Sequence, residues 1–250
     1  MSRFEDQVVI VTGGASGMGA ASARLFAEEG ATVVIVDLDG SGAAGVAAEI
    51  GAPAPIVGSV ADSAFCQSIV DEVMAAHGRL DGLVNAAGTI HRADSLGTSD
   101  EEWRRVMSVN VDGMFFLCRA ALPHLIAGGG GSIVNFGSIW GGVGSAGATA
   151  YCVSKGAVHQ LTRSLALDHV EQGVRVNAVA PGEVRTPMLS SEREAPPTEA
   201  DLQALADATI PMKRLADPVE IARVVVFLAS DEASYMTGEI VHVDAGYTAR

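Results

Sequence analysis

The sequence predicts an α/β fold, a doubly wound sheet of seven parallel strands with helices on both faces, forming one domain over residues 1–250. Three observations carry that expectation. Short apolar runs recur along the chain, Val8-Val9-Ile10-Val11 and Val33-Val34-Ile35-Val36 among them, and a run apolar at every position suits a strand covered on both faces, as in a parallel sheet. The runs alternate with longer stretches of helical periodicity, an order that right-handed crossovers connect into one parallel sheet. The 250 residues are 48% hydrophobic, with no shift in composition along the chain, which is enough for a single large core.

The first run passes through Thr12-Gly13-Gly14-Ala15-Ser16-Gly17-Met18-Gly19 into a helical pattern that carries Ala20, Ala23, Leu25 and Phe26. Strand, glycine turn and helix together make a phosphate cradle of the Rossmann type. Glycine lets the backbone approach a pyrophosphate, and the amides at the helix start face it with the positive end of the helix dipole. Residues 31–36 form the second strand, closed by Asp37, which lies 18 residues after Gly19. That is close to the spacing of about 20 that sets a carboxylate on an adenosine ribose. Such a carboxylate accepts from both ribose hydroxyls and repels a 2′-phosphate. Neither Ala15 nor Leu38 is basic, so the pattern predicts NAD rather than NADP.

Residues 41–50 read as a helix and 55–59 as a third strand, followed by Asp62, placed either to touch adenine or to cap the next helix. That helix, 63–77, is amphipathic, with Phe65, Ile69, Val70 and Val73 on one side. Residues 80–85 are the fourth strand, closed by Ala86-Ala87-Gly88. One long helix is expected over 99–126, where Asn110 interrupts an apolar face of Val106, Met107, Val109, Met114 and Leu117. A buried amide there must be satisfied structurally or serve the chemistry. The glycine run 128–131 lacks the lysine of a P-loop, and 132–138 is the fifth strand, its carboxyl end opening on the crevice. In the helix 150–170, Tyr151 and Lys155 stand four residues apart on one face. A sixth strand, 174–180, leads through Pro181-Gly182 into a stretch rich in Pro, Glu and Ser up to about Pro211. It has little regular apolar pattern and is expected to be a loop, a substrate lid at about 183–211. Asp217-Pro218 opens a helix running through Leu228, and 239–243 is the last strand.

The net charge of −14 argues against nucleic acid or an anionic membrane surface as a partner. The apolar runs are too short for a membrane span, and the start, Met1-Ser2-Arg3-Phe4-Glu5-Asp6, lacks the basic-then-apolar order of a signal peptide, so a cytoplasmic protein is expected. Cys66, Cys118 and Cys152 are odd in number and form no CxxC pair, which suits a reducing compartment. The histidines His77, His91, His124, His159, His169 and His242 show no metal-ligand spacing, and no metal is expected.

In order along nearly the whole chain stand Thr12-Gly13-x-x-x-Gly17-x-Gly19, Asn85-Ala86-Ala87-Gly88, Asn110, Ser138, Tyr151-Cys152-Val153-Ser154-Lys155 and Pro181-Gly182. In these motifs the sequence resembles the short-chain dehydrogenase/reductase family, compact single-domain type. Met18 stands where the family more often has Ile, and Ala86 where a second Asn is common; both positions act mainly through backbone. The resemblance implies that Ser138, Tyr151 and Lys155 form the reacting set of an oxidoreductase, with Asn110 positioning a water that links Lys155 to solvent. It implies that Lys155 and Tyr151 also contact the nicotinamide ribose region, and that Ser16, Met18, Asn85, Pro181, Gly182, Val184 and Thr186 join the glycines, Asp37 and Asp62 around the dinucleotide. A homotetramer is implied as well, and Gly156 and Ala157 leave room for close helix contact.

The implied reaction, interconversion of a secondary alcohol and a ketone, agrees with the side-chain chemistry. A tyrosine with a pKa of about 10 is a poor base at neutral pH and needs a nearby positive charge. Lys155 can supply it, and lowering the phenol by about two to three pH units corresponds to roughly 3 to 4 kcal/mol, within reach of an ammonium and a nicotinamide cation together in a partly closed site. Ser138 would hold the substrate oxygen while Tyr151 takes its proton. Two other readings stay open: a 3-oxoacyl thioester reductase, which would prefer NADPH and a basic docking face, and a dinucleotide-sensing module without catalysis. Cys152 reads as a packing residue rather than a nucleophile. The substrate is expected among His91, Trp140, Val143, Glu183 and the lid. Arg92 and Arg185 are candidates for an anionic group, with a solvated loop arginine the more ordinary reading.

Overall fold

Along β1 (Val8–Thr12) the side chains alternate between two faces. Val8 and Ile10 enter one apolar core, Val9 and Val11 the other. The same division runs through the sheet in this computed structural model, which describes residues 2–193 and 195–249. The other strands are β2 (Thr32–Asp37), β3 (Ile56–Val57), β4 (Gly82–Asn85), β5 (Gly131–Phe136), β6 (Val174–Pro181) and β7 (Ile240–Val243). All seven are parallel, in the order β3-β2-β1-β4-β5-β6-β7. The order turns back between β1 and β4, and in an open parallel sheet a crevice forms outside the strand ends at such a switch point.

One core is closed by α3 (Ser63–His77), α5 (Gly113–Ala127) and α6 (Thr149–His169), the other by α1 (Gly17–Glu28), α2 (Gly40–Ile50) and α8 (Pro218–Ala229). Ile10, Phe26, Ile69, Leu117 and Ile221 are wholly buried, each contributing about 1.5–3 kcal/mol over an exposed position. Asp62 caps α3, accepting from the amides of Ala64 and Phe65 at 2.8 and 3.3 Å, so of its two sequence readings the cap is the one observed. No helix among the described residues is long and apolar enough to cross a membrane.

Two expectations need correction. The single helix over 99–126 is three pieces: α4 (Asp100–Met107), a π-helical turn over Ser108–Asp112, and α5. The wider turn accommodates Asn110, whose amide is turned fully inward onto Thr89 and Ser154; such bulges often sit at functional sites. The stretch after Pro181 is not all loop. It holds α7 (Glu199–Thr209), started by a capping box of Thr198 and Asp201 and buried through Leu202 and Ala206 against Ile210 and Leu215.

Candidate active site

Two adjoining cavities open at the carboxyl ends of the strands. The first, about 490 Å³, runs from Asp37 and Leu38 across the glycine turn to Thr89 and Val109. The turn is shaped by sterics at two positions. Gly13 has φ +66°, and a Cβ on it would meet the Ala86 carbonyl at 2.8 Å; Gly19 presses its α-carbon against the Gly13 carbonyl, where no side chain fits. Both glycines are therefore required by the packing of strand against helix. Ser16, the N-cap of α1, makes no side-chain cap bond, so the first-turn amides of Gly17, Met18 and Gly19 have no acceptor among the described residues and face the cleft with the positive helix end. At the far end Asp37 accepts from the amides of Ala15 and Asp39, both at 2.9 Å, with lone pairs left over. This cleft fits a dinucleotide: unfilled donors for a pyrophosphate at its middle and a carboxylate for a ribose at its end.

The second cavity, about 210 Å³, brings together Ser138, Tyr151, Glu183 and Trp140. Met18 and Thr186 line both cavities, so the two share a boundary. Ser138 ends the fifth strand region and Tyr151 begins α6; both line the cavity, and Ser138 Oγ accepts from the Trp140 amide at 3.2 Å. Tyr151 meets Trp140 edge to face at 6.0 Å. One turn on, Lys155 Nζ lies 5.5 Å from the Tyr151 ring centroid and donates to the Phe136 carbonyl at 2.6 Å.

Burial governs the proton affinities here. It pushes the Tyr151 phenol up to about 12, partly opposed by the Ser138 hydrogen bond, and it pulls Lys155 down to about 8. In the protein alone the ammonium is turned to the Phe136 carbonyl and desolvation raises the phenol; the lowering expected from sequence calls on Lys155 together with a nicotinamide cation. Glu183 is likewise raised by burial, opposed by Arg92 and Arg193. Asn110 is satisfied by protein: Nδ2 donates to Thr89 O at 2.8 Å and Ser154 Oγ at 2.9 Å, and Oδ1 accepts from Thr89 N at 2.8 Å.

The sequence-predicted residues divide. Gly13, Ser16, Gly17, Met18, Gly19, Asp37 and Thr186 line the first cavity; Ser138, Trp140, Tyr151, Pro181, Gly182, Glu183 and Val184 line the second. Asn85 is instead a core residue between strands, donating to Asn135 Oδ1 at 2.9 Å, because its side chain points between β4 and β5. His91 is not part of the pocket lining: its Nδ1 is 2.9 Å from Glu192 and 3.5 Å from Glu102. These three side chains converge closely enough to suggest ligands, but Arg105 pairs with both carboxylates and makes the cluster an ion network. Val143 is 40% exposed outside the pocket, and Arg185 pairs with Glu199 at 2.8 Å on the outer face. Arg92, read from sequence as an ordinary solvated residue, lines the pocket. The expected lid contributes Met188, Leu189, Arg193 and Leu205 to the wall; the sequence reading missed Ile90, which lies in an irregular stretch without a period.

Comparison with known proteins agrees across the chain. A family model described as enoyl-(acyl carrier protein) reductase matches residues 13–248. A meso-2,3-butanediol dehydrogenase from Serratia marcescens is 41% identical over 250 residues, covering 99% of this chain and 96% of that protein. A 3-oxoacyl-(acyl-carrier-protein) reductase from Thermotoga maritima is 39% identical over 98% of each. Among solved structures, a candidate NAD(P)-dependent gluconate 5-dehydrogenase from Beutenbergia cavernae, with NADP bound at low occupancy, superposes with a TM-score of 0.90 at 36% identity, covering 98% of each chain.

Proposed function

Since the chain belongs to the short-chain dehydrogenase/reductase family and is an oxidoreductase, we propose that it is an NAD-dependent dehydrogenase interconverting a compact secondary alcohol and its ketone, with Ser138, Tyr151 and Lys155 as its catalytic residues. Ser138 and Tyr151 together in the second cavity, with Lys155 Nζ 5.5 Å from the Tyr151 ring and the dinucleotide cleft adjoining through Met18 and Thr186, carry the reading. A relative acting on a secondary diol supports the substrate class.

A nicotinamide dinucleotide bound in the long cleft supplies the hydride acceptor and, when oxidised, a positive charge beside the phenol. Ser138 Oγ–H donates to the substrate oxygen and fixes the carbinol against Tyr151. Tyr151 Oη takes the hydroxyl proton as hydride leaves the carbinol carbon, and returns it in ketone reduction. From a resting value of about 12, the phenol reaches the neutral range only with cationic help worth roughly 6 kcal/mol at about 1.4 kcal/mol per pH unit. Lys155, freed from the Phe136 carbonyl, gives part of it and holds the nicotinamide ribose. Gly88 supports a water relay from Lys155: a Cβ on it would stand 3.4 Å from Asn110 Oδ1 and 3.8 Å from Lys155 Nζ, so its absence leaves the space between them open.

The choice of NAD rests on Asp37, whose carboxylate repels a 2′-phosphate with no basic residue at Ala15 or Leu38 to offset it. Segment 183–211 acts as the lid, supported by the wall it gives the pocket. A cytoplasmic homotetramer completes the proposal; Phe115, Val153 and Leu167 expose apolar surface on α5 and α6, and light scattering of the purified protein tests the assembly. The thioester-reductase alternative is kept by the Thermotoga relative, while the net charge of −14 disfavours docking of an acidic carrier.

The test follows NADH or NADPH formation with secondary alcohols, polyols, hydroxy acids and hydroxyacyl thioesters, in wild type and in Tyr151→Phe. Turnover of an alcohol with NAD, reduced at least about a thousandfold in Tyr151→Phe with dinucleotide binding kept, is expected. Equal turnover by the variant defeats the mechanism. Tight NAD binding with no turnover on the panel favours the sensing module.

A further inference from the structure

The chain carries almost twice as many acidic as basic residues, 30 Asp and Glu against 16 Lys and Arg. In such a protein a guanidinium readily finds a carboxylate, and Arg24, Arg79, Arg185 and Arg214 each do. Two arginines in the wall of the 210 Å³ pocket depart from this. Arg92 sends Nε and Nη2 to the carbonyls of Ser191 and Met188, both at 3.1 Å, and its Nη1 has no partner among the described residues. Arg193 has no side-chain partner among the described residues. Both line the cavity that holds Ser138 and Tyr151.

The anions nearby do not neutralise this pair. Glu192 spends its oxygens on the His91 ring, the Arg92 backbone amide and the Arg105 guanidinium. Glu183, the one carboxyl among the described residues of the same pocket lining, is raised by burial and lowered by Arg92 and Arg193, but forms no direct ion pair with either. Arg92 in turn is held below its ordinary value, first by burial and then by Arg193, with Glu183 and Glu192 acting against them. Two like charges facing a partly closed cavity with no direct ion pair of their own among the described residues destabilise each other, and an anion entering between them relieves both. Trp140 adds a neutral donor to the same wall: its Nε1–H is buried without a partner among the described residues. The rest of the lining, Ile90, Met188, Leu189 and Leu205, is apolar, suited to a hydrocarbon skeleton. The cavity lies below the 300–1,000 Å³ of sites for drug-sized ligands, so the skeleton is compact.

We propose that the substrate is a hydroxy acid, a small secondary alcohol that also bears a carboxylate, and that Arg92 and Arg193 hold the carboxylate while Ser138 and Tyr151 receive the carbinol. This rests on the dehydrogenase reading of the same site. Arg92 also anchors the lid through the two carbonyls, so carboxylate binding and lid closure use one side chain.

The experiment compares cis-4-hydroxycyclohexanecarboxylate with its primary amide, which has the same skeleton without the charge. In wild type the acid has a kcat/KM about 10- to 100-fold above the amide, the range expected of a charge-assisted contact. In Arg193→Gln, an exposed position where folding is not at stake, that ratio falls toward one, chiefly through KM. Arg92→Lys keeps a charge but cannot span the two lid carbonyls, and retains part of the preference. Equal use of acid and amide by wild type overturns the proposal, as does a ratio unchanged in Arg193→Gln. Binding of the unreactive cyclohexanecarboxylate, followed by saturation-transfer NMR, separates this from the dehydrogenase reading. If neither compound is oxidised with either dinucleotide, the reaction assignment falls; weaker carboxylate binding in Arg193→Gln then still supports the arginine site, and unchanged binding removes it.

Discussion

Replacing Lys155 by Met changes how stability depends on pH, by an amount that follows from where the ammonium sits. Lys155 is 4% exposed, has one hydrogen bond, to the Phe136 carbonyl, and is pulled by burial from 10.5 to about 8. The unfolded chain keeps that proton up to its ordinary value. Between pH 8 and 10.5 the unfolded state therefore binds more protons than the folded one, and stability rises with pH across that window. At about 1.4 kcal/mol per pH unit, the buried ammonium costs the fold about 3 kcal/mol at pH 7, of which about 2 kcal/mol is recovered by pH 9.5. Tyr151 has the opposite sign: raised to about 12, it makes stability fall once the unfolded phenol ionises above pH 10, so the experiment stops at 9.5. Lys155→Met removes the titration and orphans the Phe136 carbonyl, a loss of about 1–3 kcal/mol that does not vary with pH. The variant should thus be between equal in stability and about 2 kcal/mol more stable at pH 7, and lose that standing to the parent by about 2 kcal/mol at pH 9.5. Urea unfolding of the dinucleotide-free proteins at pH 7, 8 and 9.5, at one protein concentration, measures it. A parent–variant difference that stays flat with pH, or that favours the parent by several kcal/mol at pH 7, refutes the reasoning.

Asp37→Ser removes the charge that opposes a 2′-phosphate, and the ratio of kcat/KM for NADP over NAD should rise about a hundredfold; an unchanged ratio in steady-state kinetics removes Asp37 as the discriminator. Arg175 donates to the carbonyls of Leu228, Ala229 and Ser230 at 2.7–3.0 Å, closing the end of α8, so Arg175→Met should cost about 2–3 kcal/mol in urea unfolding, and a cost under about 0.5 kcal/mol would show those carbonyls satisfied by water. Cys66 and Cys118 are buried and raised to about 11 and 12. An aromatic disulfide reagent at pH 8 should therefore reach only the half-buried Cys152 in the native protein and all three thiols after denaturation; rapid native labelling of Cys118 would mean that its core opens.

What could be read from the sequence follows from how narrowly geometry restricts residue type. At Gly13 and Gly19 a side chain collides with backbone, so the turn announces itself in composition. The strands announce themselves by runs that must be apolar on both faces. The π-turn around Asn110 has no such signal, since one additional residue in a helical turn leaves the apolar period almost intact. Helix α7 did carry a signal, Thr198 with Asp201 three residues on. Its two deeply buried residues, Leu202 and Ala206, make too thin a stripe for periodicity to register beside Pro196-Pro197. The setting of Tyr151 is only partly legible for a related reason: spacing puts Lys155 on the same helix face but cannot say that its ammonium turns to the Phe136 carbonyl.

The two halves of the site are consequently held by different forces. The dinucleotide cleft is framed by strand ends, by close backbone contacts and by buried side chains, interactions insensitive to salt. The substrate wall is tied down through Glu192, which joins His91, the Arg92 amide and Arg105, and through Arg92 on the carbonyls of Met188 and Ser191. With Arg105 38% and Glu192 32% exposed, each ion pair contributes no more than about 1 kcal/mol and is screened by salt. A wall held by a few such contacts can open without disturbing the core, which admits substrate while the cradle keeps its shape. The same screening acts on a carboxylate approaching Arg92 and Arg193, so added salt should raise KM for a hydroxy acid more than for its neutral amide.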